Sequence, residues 1–272
     1  MTRPLRIGIM APGRRLDEAV ANDVRAIAER NYAGRLELVF HPQCALSDGH
    51  FAGDDAARRA AFFDLADDPA LDAVWFARGG YGSARLIDDR FDRLSEAARA
   101  KRYLGYSDAG FLLARLYRAG CAVAHGPMPC DLVRGAAPVR RALDYLADPQ
   151  SGGAGPSVPV LTFNLTVLVH LLCADEAPPF DGVALALEDV DEHLYAVDRN
   201  FRSVTTSPKL AGCLGVFVGR FGAPPDNDVP FGRTAAEIAR FWCEKAGLAV
   251  LGDADVGHDA DNTVVAFGRP RA

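Results

Sequence analysis

The first half of the chain alternates compact apolar runs with segments of helical period. Residues 5–11 (LRIGIMA), 36–40 (LELVF), 73–77 (AVWFA) and 121–125 (CAVAH) read as strands. Between them, residues 17–30 place Ala19, Val20, Val24, Ile27 and Ala28 at helical spacing, and residues 55–66 read as a second helix. The stretch after Ser107 sets Leu112, Leu113, Leu116 and Tyr117 on one side of a further helix, and one helical segment is expected to join residue 78 to residue 108. Such alternation predicts a parallel sheet covered by helices, an α/β domain of Rossmann-like rhythm. Ligands of these sheets bind beyond the carboxyl ends of the strands.

A helix around 139–146 closes this first unit, residues 1–147. Residues 148–159 (DPQSGGAGPSVP) are dense in Gly, Pro and Ser without apolar period, and read as an interdomain linker. In the second unit, 160–272, residues 161–173 read as helical, 183–187 and 214–218 as strands, 234–246 as an amphipathic helix, and 248–251 and 263–267 as short strands. That pattern predicts a smaller mixed domain.

Composition narrows the partner. At 272 residues and 49% hydrophobic content the chain can bury a sizeable core. A net charge of −6 with no long basic run argues against nucleic acid or an anionic membrane as partner and favours a small molecule or peptide. Six scattered cysteines without C-x-x-C spacing suggest neither a zinc site nor a disulfide framework, so no metal is expected. Gly8 and Gly13 do not complete G-x-G-x-x-G, so no dinucleotide cofactor is expected either. The N-terminal apolar run is too short for a signal peptide and no later run reaches 18 residues, which points to a cytoplasmic protein.

The candidate chemistry starts at two turns. RGGYGSARL (78–86) follows an apolar run, so bare backbone amides are expected where the strand ends; YLGYSDAGFLLARL (103–116) places Ser107 between a strand and a helix. That is the place of a nucleophile elbow, with Gly105 two residues before the serine but Ala109 two after it. It is also where Ser107 or Asp108 could simply cap the helix. A serine nucleophile needs a base and an orienting group. His258, in the loop Gly257-His258-Asp259, and Glu188, closing the run 183–187, can supply them; a solvated loop histidine and an ordinary acidic turn are the alternatives. Glu192 rivals Glu188, and His125 at a strand end is a weaker candidate base. Arg78 and Tyr81, at the glycine turn, are candidate substrate-binding residues.

RGGYGSARL, GYSDAGFLL, HGPM (125–128), LEDVDEHLYAVDR (187–199) and VGHDADNTVVAFG (256–268) occur in one order, and together resemble the LD-carboxypeptidases of serine peptidase family S66. The resemblance implies Ser107, Glu188 and His258 as catalytic triad; the amides of Gly80, in the glycine turn, and Asp108, just after the serine, would then follow from the two turns as oxyanion donors. It also implies a Rossmann-like N-terminal domain, a smaller β-rich C-terminal domain with the site between them, and a homodimer. The chain departs from relatives at Thr162-Phe163, where two glycines usually precede the Asn-Leu pair, and at Ala11, where a serine commonly precedes the proline. The implied reaction removes the terminal D-alanine from murein tetrapeptides in peptidoglycan recycling. A branch similar to microcin-immunity hydrolases would keep the triad and cut an acyl amide on a nucleotide-linked peptide; a non-catalytic small-molecule-binding protein would lack a reactive serine.

Overall fold

The computed structural model describes residues 3–151, 158–226 and 228–268. In the first half, β1 (Leu5–Met10), α1 (Glu18–Tyr32), β2 (Leu36–Phe40), α2 (Asp55–Asp67) and β3 (Ala73–Phe76) are followed by α3 (Glu96–Ala100), β4 (Arg102–Gly105), α4 (Gly110–Arg118), β5 (Ala122–His125) and α5 (Ala136–Ala147). β1 pairs with both β2 and β3, β3 with β4 and β4 with β5, all parallel. The strands are short and the inner ones are buried on both faces, as β3 shows with all four residues buried, while the edge strand β2 is partly exposed; helices cover the sheet on either side. The chain order changes direction at β1, which has β2 on one side and β3 on the other. The crevice beyond the carboxyl ends of β1 and β3 is therefore the switch point where such sheets hold ligands.

Residues 78–108 differ from the expected single helix. They form two short 3-10 turns (Ser83–Leu86 and Asp89–Asp92), the five-residue α3, and β4. Asp88 and Ser95 each accept an amide at a new start, and Gly82 turns the chain at φ +131°. These local caps and the left-handed glycine divide the segment into short pieces.

The second half contains β6 (Val160–Asn164), α6 (Leu165–Cys173), β7 (Ala184–Val190), α7 (Leu194–Thr205), β8 (Gly215–Gly222), α8 (Ala235–Lys245) and β9 (Val250–Asp253). The four strands pair in parallel in chain order. Thus the mixed second domain is a parallel α/β layer. Residues 161–173 are not one helix: Asn164 ends β6 and caps α6 by accepting the Val167 amide at 3.1 Å. The last strand, β10 (Val265–Ala266), returns to the first sheet and pairs antiparallel with β5. Of the expected linker, residues 152–157 lie outside the described residues.

One buried cluster runs from Phe62, Phe91 and Tyr103 under the first sheet to Leu168, Phe201 and Ile238 under the second. α4 and α6 meet where a β-carbon on Gly110 would stand 3.2 Å from Val167 Cγ1. This shared core seats the carboxyl end of β7 opposite that of β4.

Candidate active site

Three turns of the first sheet interlock at its carboxyl edge. The Arg14 amide, after β1, donates to the Gly79 carbonyl at 3.1 Å. Gly79 in turn lies against Ser107, where an added β-carbon would stand 3.3 Å from Ser107 Cβ, 3.4 Å from Oγ and 3.5 Å from the Asp108 nitrogen. A side chain at position 79 would fill the space beside the Ser107 hydroxyl. Gly80, at φ +102°, lies under the aliphatic stem of Arg14, and its amide has no acceptor among the described residues.

Ser107 itself has φ +59°, in the left-handed region that non-glycine residues rarely occupy. The strain is held by neighbours. The Asp108 carboxylate accepts from Ser83 N at 2.9 Å, Ser83 Oγ at 2.5 Å and Gly82 N at 3.3 Å, tying the serine turn to the glycine turn. Beneath them the wholly buried Arg58 donates to the carbonyls of Gly82 and Pro12, so all three turns share one cation. Burial raises the Asp108 pKa, while the bonds from Ser83 and Gly82 and the Arg58 charge oppose that rise. Neither Ser107 nor Asp108 caps α4, whose start has no side-chain cap.

The other half comes from the second sheet. Glu188 sits at an irregularity in the β7–β8 pairing, between Leu187 and Asp189, and such a bulge re-aims a side chain. Gly219 of β8 makes room, since a β-carbon there would stand 3.0 Å from Glu188 Cβ. The Glu188 side chain is fully buried, and its Oε2 lies 2.6 Å from His258 Nδ1. His258 Nε2 lies 3.0 Å from Ser107 Oγ. A continuous Ser107–His258–Glu188 chain therefore crosses between the two sheets.

Burial alone would lower the His258 pKa; the Glu188 charge and its hydrogen bond, helped by Asp131, outweigh it and hold the imidazole above its ordinary value. Its loop is anchored at several points. Arg134 Nε donates to the His258 carbonyl at 3.0 Å, and Arg220 grips Asp259 through two hydrogen bonds. Arg141 Nε holds the Asn262 carbonyl at 3.0 Å. Tyr106 donates its hydroxyl to Asp131 at 2.8 Å, and its ring centroid lies 4.8 Å from that of His258.

The rival candidates take other places. Glu192 contacts Thr166 Oγ1 at 3.3 Å, whereas Glu188 holds His258. His125 is buried and pairs with Asn262 at 3.2 Å; desolvation pushes its pKa down to about 4. That Asn262 Oδ1 also accepts from Gly257 N at 3.3 Å, so His125 supports the loop bearing His258. Arg78 lines a cavity of about 400 Å³ that opens on Ser107 and His258. Tyr81 lines a second cavity, of about 750 Å³, on the far side of Gly80. Sequence reasoning missed the roles of Arg58, Asp131, Gly219 and Asn262; the Asp following Ser107 was the one local signal for the buried network.

Residues 7–126 match the model for the LD-carboxypeptidase N-terminal domain of peptidase family S66, and residues 159–271 match that for its C-terminal domain. The murein tetrapeptide carboxypeptidase of Pseudomonas aeruginosa is 27% identical over 252 residues, covering 81% of this chain and 78% of that one. Among solved structures, the muramoyltetrapeptide carboxypeptidase from Oxalobacter formigenes superposes with a TM-score of 0.81 at 24% identity, covering 96% of this chain and 93% of that one. The microcin C7 self-immunity protein MccF, in complex with aspartyl sulfamoyl adenosine, gives a TM-score of 0.79 at 18% identity, with 98% and 92% covered. No helix among the described residues is long and apolar enough to cross a membrane. With both domain models matched in order around the serine and histidine turns, this chain belongs to the S66 family of LD-carboxypeptidases, which are serine peptidases.

Proposed function

We propose that Ser107, His258 and Glu188 are the catalytic triad of a cytoplasmic, homodimeric carboxypeptidase that removes the terminal D-alanine of murein tetrapeptides during peptidoglycan recycling. The observation that carries the reading is the hydrogen-bond chain from Ser107 Oγ through His258 to Glu188, supported by the 27% identity to a murein tetrapeptide carboxypeptidase.

His258 Nε2 takes the proton of Ser107 Oγ as Oγ bonds to the carbonyl carbon before D-alanine. The carbonyl oxygen, now anionic, is received by the amides of Gly80 and Asp108. When the carbon–nitrogen bond breaks, His258 gives that proton to the departing amine. Water then repeats the sequence, losing its proton to His258 while its oxygen displaces Oγ, and the proton returns to Ser107. Glu188 holds the ring with Nε2 facing the serine and stabilises the imidazolium.

The test is mass spectrometry of L-Ala-γ-D-Glu-diaminopimelate-D-Ala before and after incubation with the purified protein. Tripeptide and free D-alanine are expected, with much slower reaction of the peptide ending in L-alanine. Equal rates on the two, or an intact tetrapeptide while an aminoacyl-nucleotide amide is cut, would replace this reading with an immunity hydrolase.

A further inference from the structure

Ser107 and Gly80 stand at the junction of the two cavities, whose charged linings differ. The smaller one contains His258, Arg14, Arg78 and Arg134. Arg134 is engaged by Asp131 at 2.5 Å and by the His258 carbonyl. Arg14 and Arg78 have no carboxylate partner among the described residues; Arg78 reaches only the Arg15 carbonyl, at 3.5 Å. Of the acids lining this cavity, Asp131 is paired with Arg134 and Asp17 with Arg15, which leaves Asp191 at its exposed rim. The stem of Arg14 lies directly on Gly80, so its guanidinium is one side chain away from the proposed oxyanion site.

The larger cavity has the opposite character. Its acids are Asp108, Glu176, Asp189 and Glu192, beside one histidine, His170, and no lysine or arginine; Asp108 is taken up by Ser83 and Gly82. Asp189 is satisfied internally by Asn164, Thr166 and Val190, and burial with the adjacent Glu188 charge raises its pKa to about 6. Glu192 has one neutral partner, Thr166, and Glu176 has none among the described residues. Carboxylates so placed suit an ammonium group.

His258 decides which cavity takes which end. It must protonate the departing nitrogen, and it lines the smaller cavity but not the larger. We infer that the smaller cavity seats the departing amino acid with its free carboxylate on Arg14 and Arg78, and the larger cavity seats the acyl side with a cationic third-residue side chain on Glu192. This inference rests on the carboxypeptidase reading and adds to it the direction and charge pattern of the bound peptide.

The experiment uses tetrapeptides differing at two points: a C-terminal acid or carboxamide, and lysine or norleucine at the third position. Wild type should prefer acid to amide, and Arg14→Gln or Arg78→Gln should shrink that ratio about ten- to a hundredfold. Glu192→Gln should shrink the lysine-to-norleucine ratio about tenfold and leave the acid-to-amide ratio in place. Ratios within one variant do not depend on how much of it is folded. Arginine variants that lower acid and amide rates alike, a wild type indifferent to the carboxamide, or a Glu192→Gln effect equal on both third residues would overturn the inference. If wild type cleaves none of the four peptides, the carboxypeptidase reading itself falls.

Discussion

The two halves of the site are held by different physics. The Ser107 half is set by backbone geometry: Ser107 at positive φ, Gly79 in close approach to it, and three turns of one sheet fixed by the buried side chains of Asp108, Ser83 and Arg58. The His258 half is side chain: Glu188 and His258 meet across the sheets, and the histidine loop is tied down by arginines, of which Arg220 is a third exposed. Oxyanion donors need fixed amides and cannot be moved without moving the chain, whereas a general base needs only a ring of known orientation. Changes in the first half should therefore act through geometry, and changes in the second through proton transfer.

The largest effect is expected from breaking the chain where the halves join. Ser107→Ala or His258→Ala should lower kcat by roughly 10⁴- to 10⁶-fold with an unchanged circular dichroism spectrum. Glu188→Gln should cost somewhat less, roughly 10³- to 10⁴-fold, and should also move the pH profile. Activity needs neutral His258, so the acid limb of kcat/KM lies above the ordinary imidazole value in wild type; without the Glu188 charge, burial prevails and the limb shifts to lower pH. Glu192→Gln should leave the limb where it is. If it moves the limb and Glu188→Gln does not, the third member has been misassigned.

On the backbone side, Gly79→Ala puts a methyl group beside Ser107 Oγ and the Asp108 amide. A fall of about 10²-fold in kcat is expected, comparable to losing an oxyanion donor, with no shift of the pH limb. Asp108→Asn should act least on rate. It replaces one of two accepting oxygens with a donor, which then faces either the Gly82 amide or the Ser83 donors, so a loss of about 1–3 kcal/mol of stability is expected in thermal or denaturant unfolding.

The alternation of strands and helices was legible because each element carries its own period, and the meeting of the Ser107, His258 and Glu188 side chains could be expected because the three sit in blocks that occur in one order. The boundary of β6 and α6 was not: residues 160–173 are nearly continuous in apolar character, and periodicity cannot separate a buried strand from a buried helix there. Asn164, the cap, was the signal for that break. α7 was overlooked beside the acidic turn, although Leu194, Val197, Phe201 and Val204 are spaced for one helix face. The Arg58–Asp108 network and the return of β10 to the first sheet depend on segments brought together by crossovers, which leave no local pattern.

The central claim is that Ser107 is a nucleophile activated by His258, and labelling with a fluorophosphonate followed by peptide mapping tests it most directly. The account predicts one covalent adduct, on Ser107, absent in Ser107→Ala and formed far more slowly in His258→Ala. An unmodified Ser107, or labelling of equal rate in His258→Ala, would contradict it.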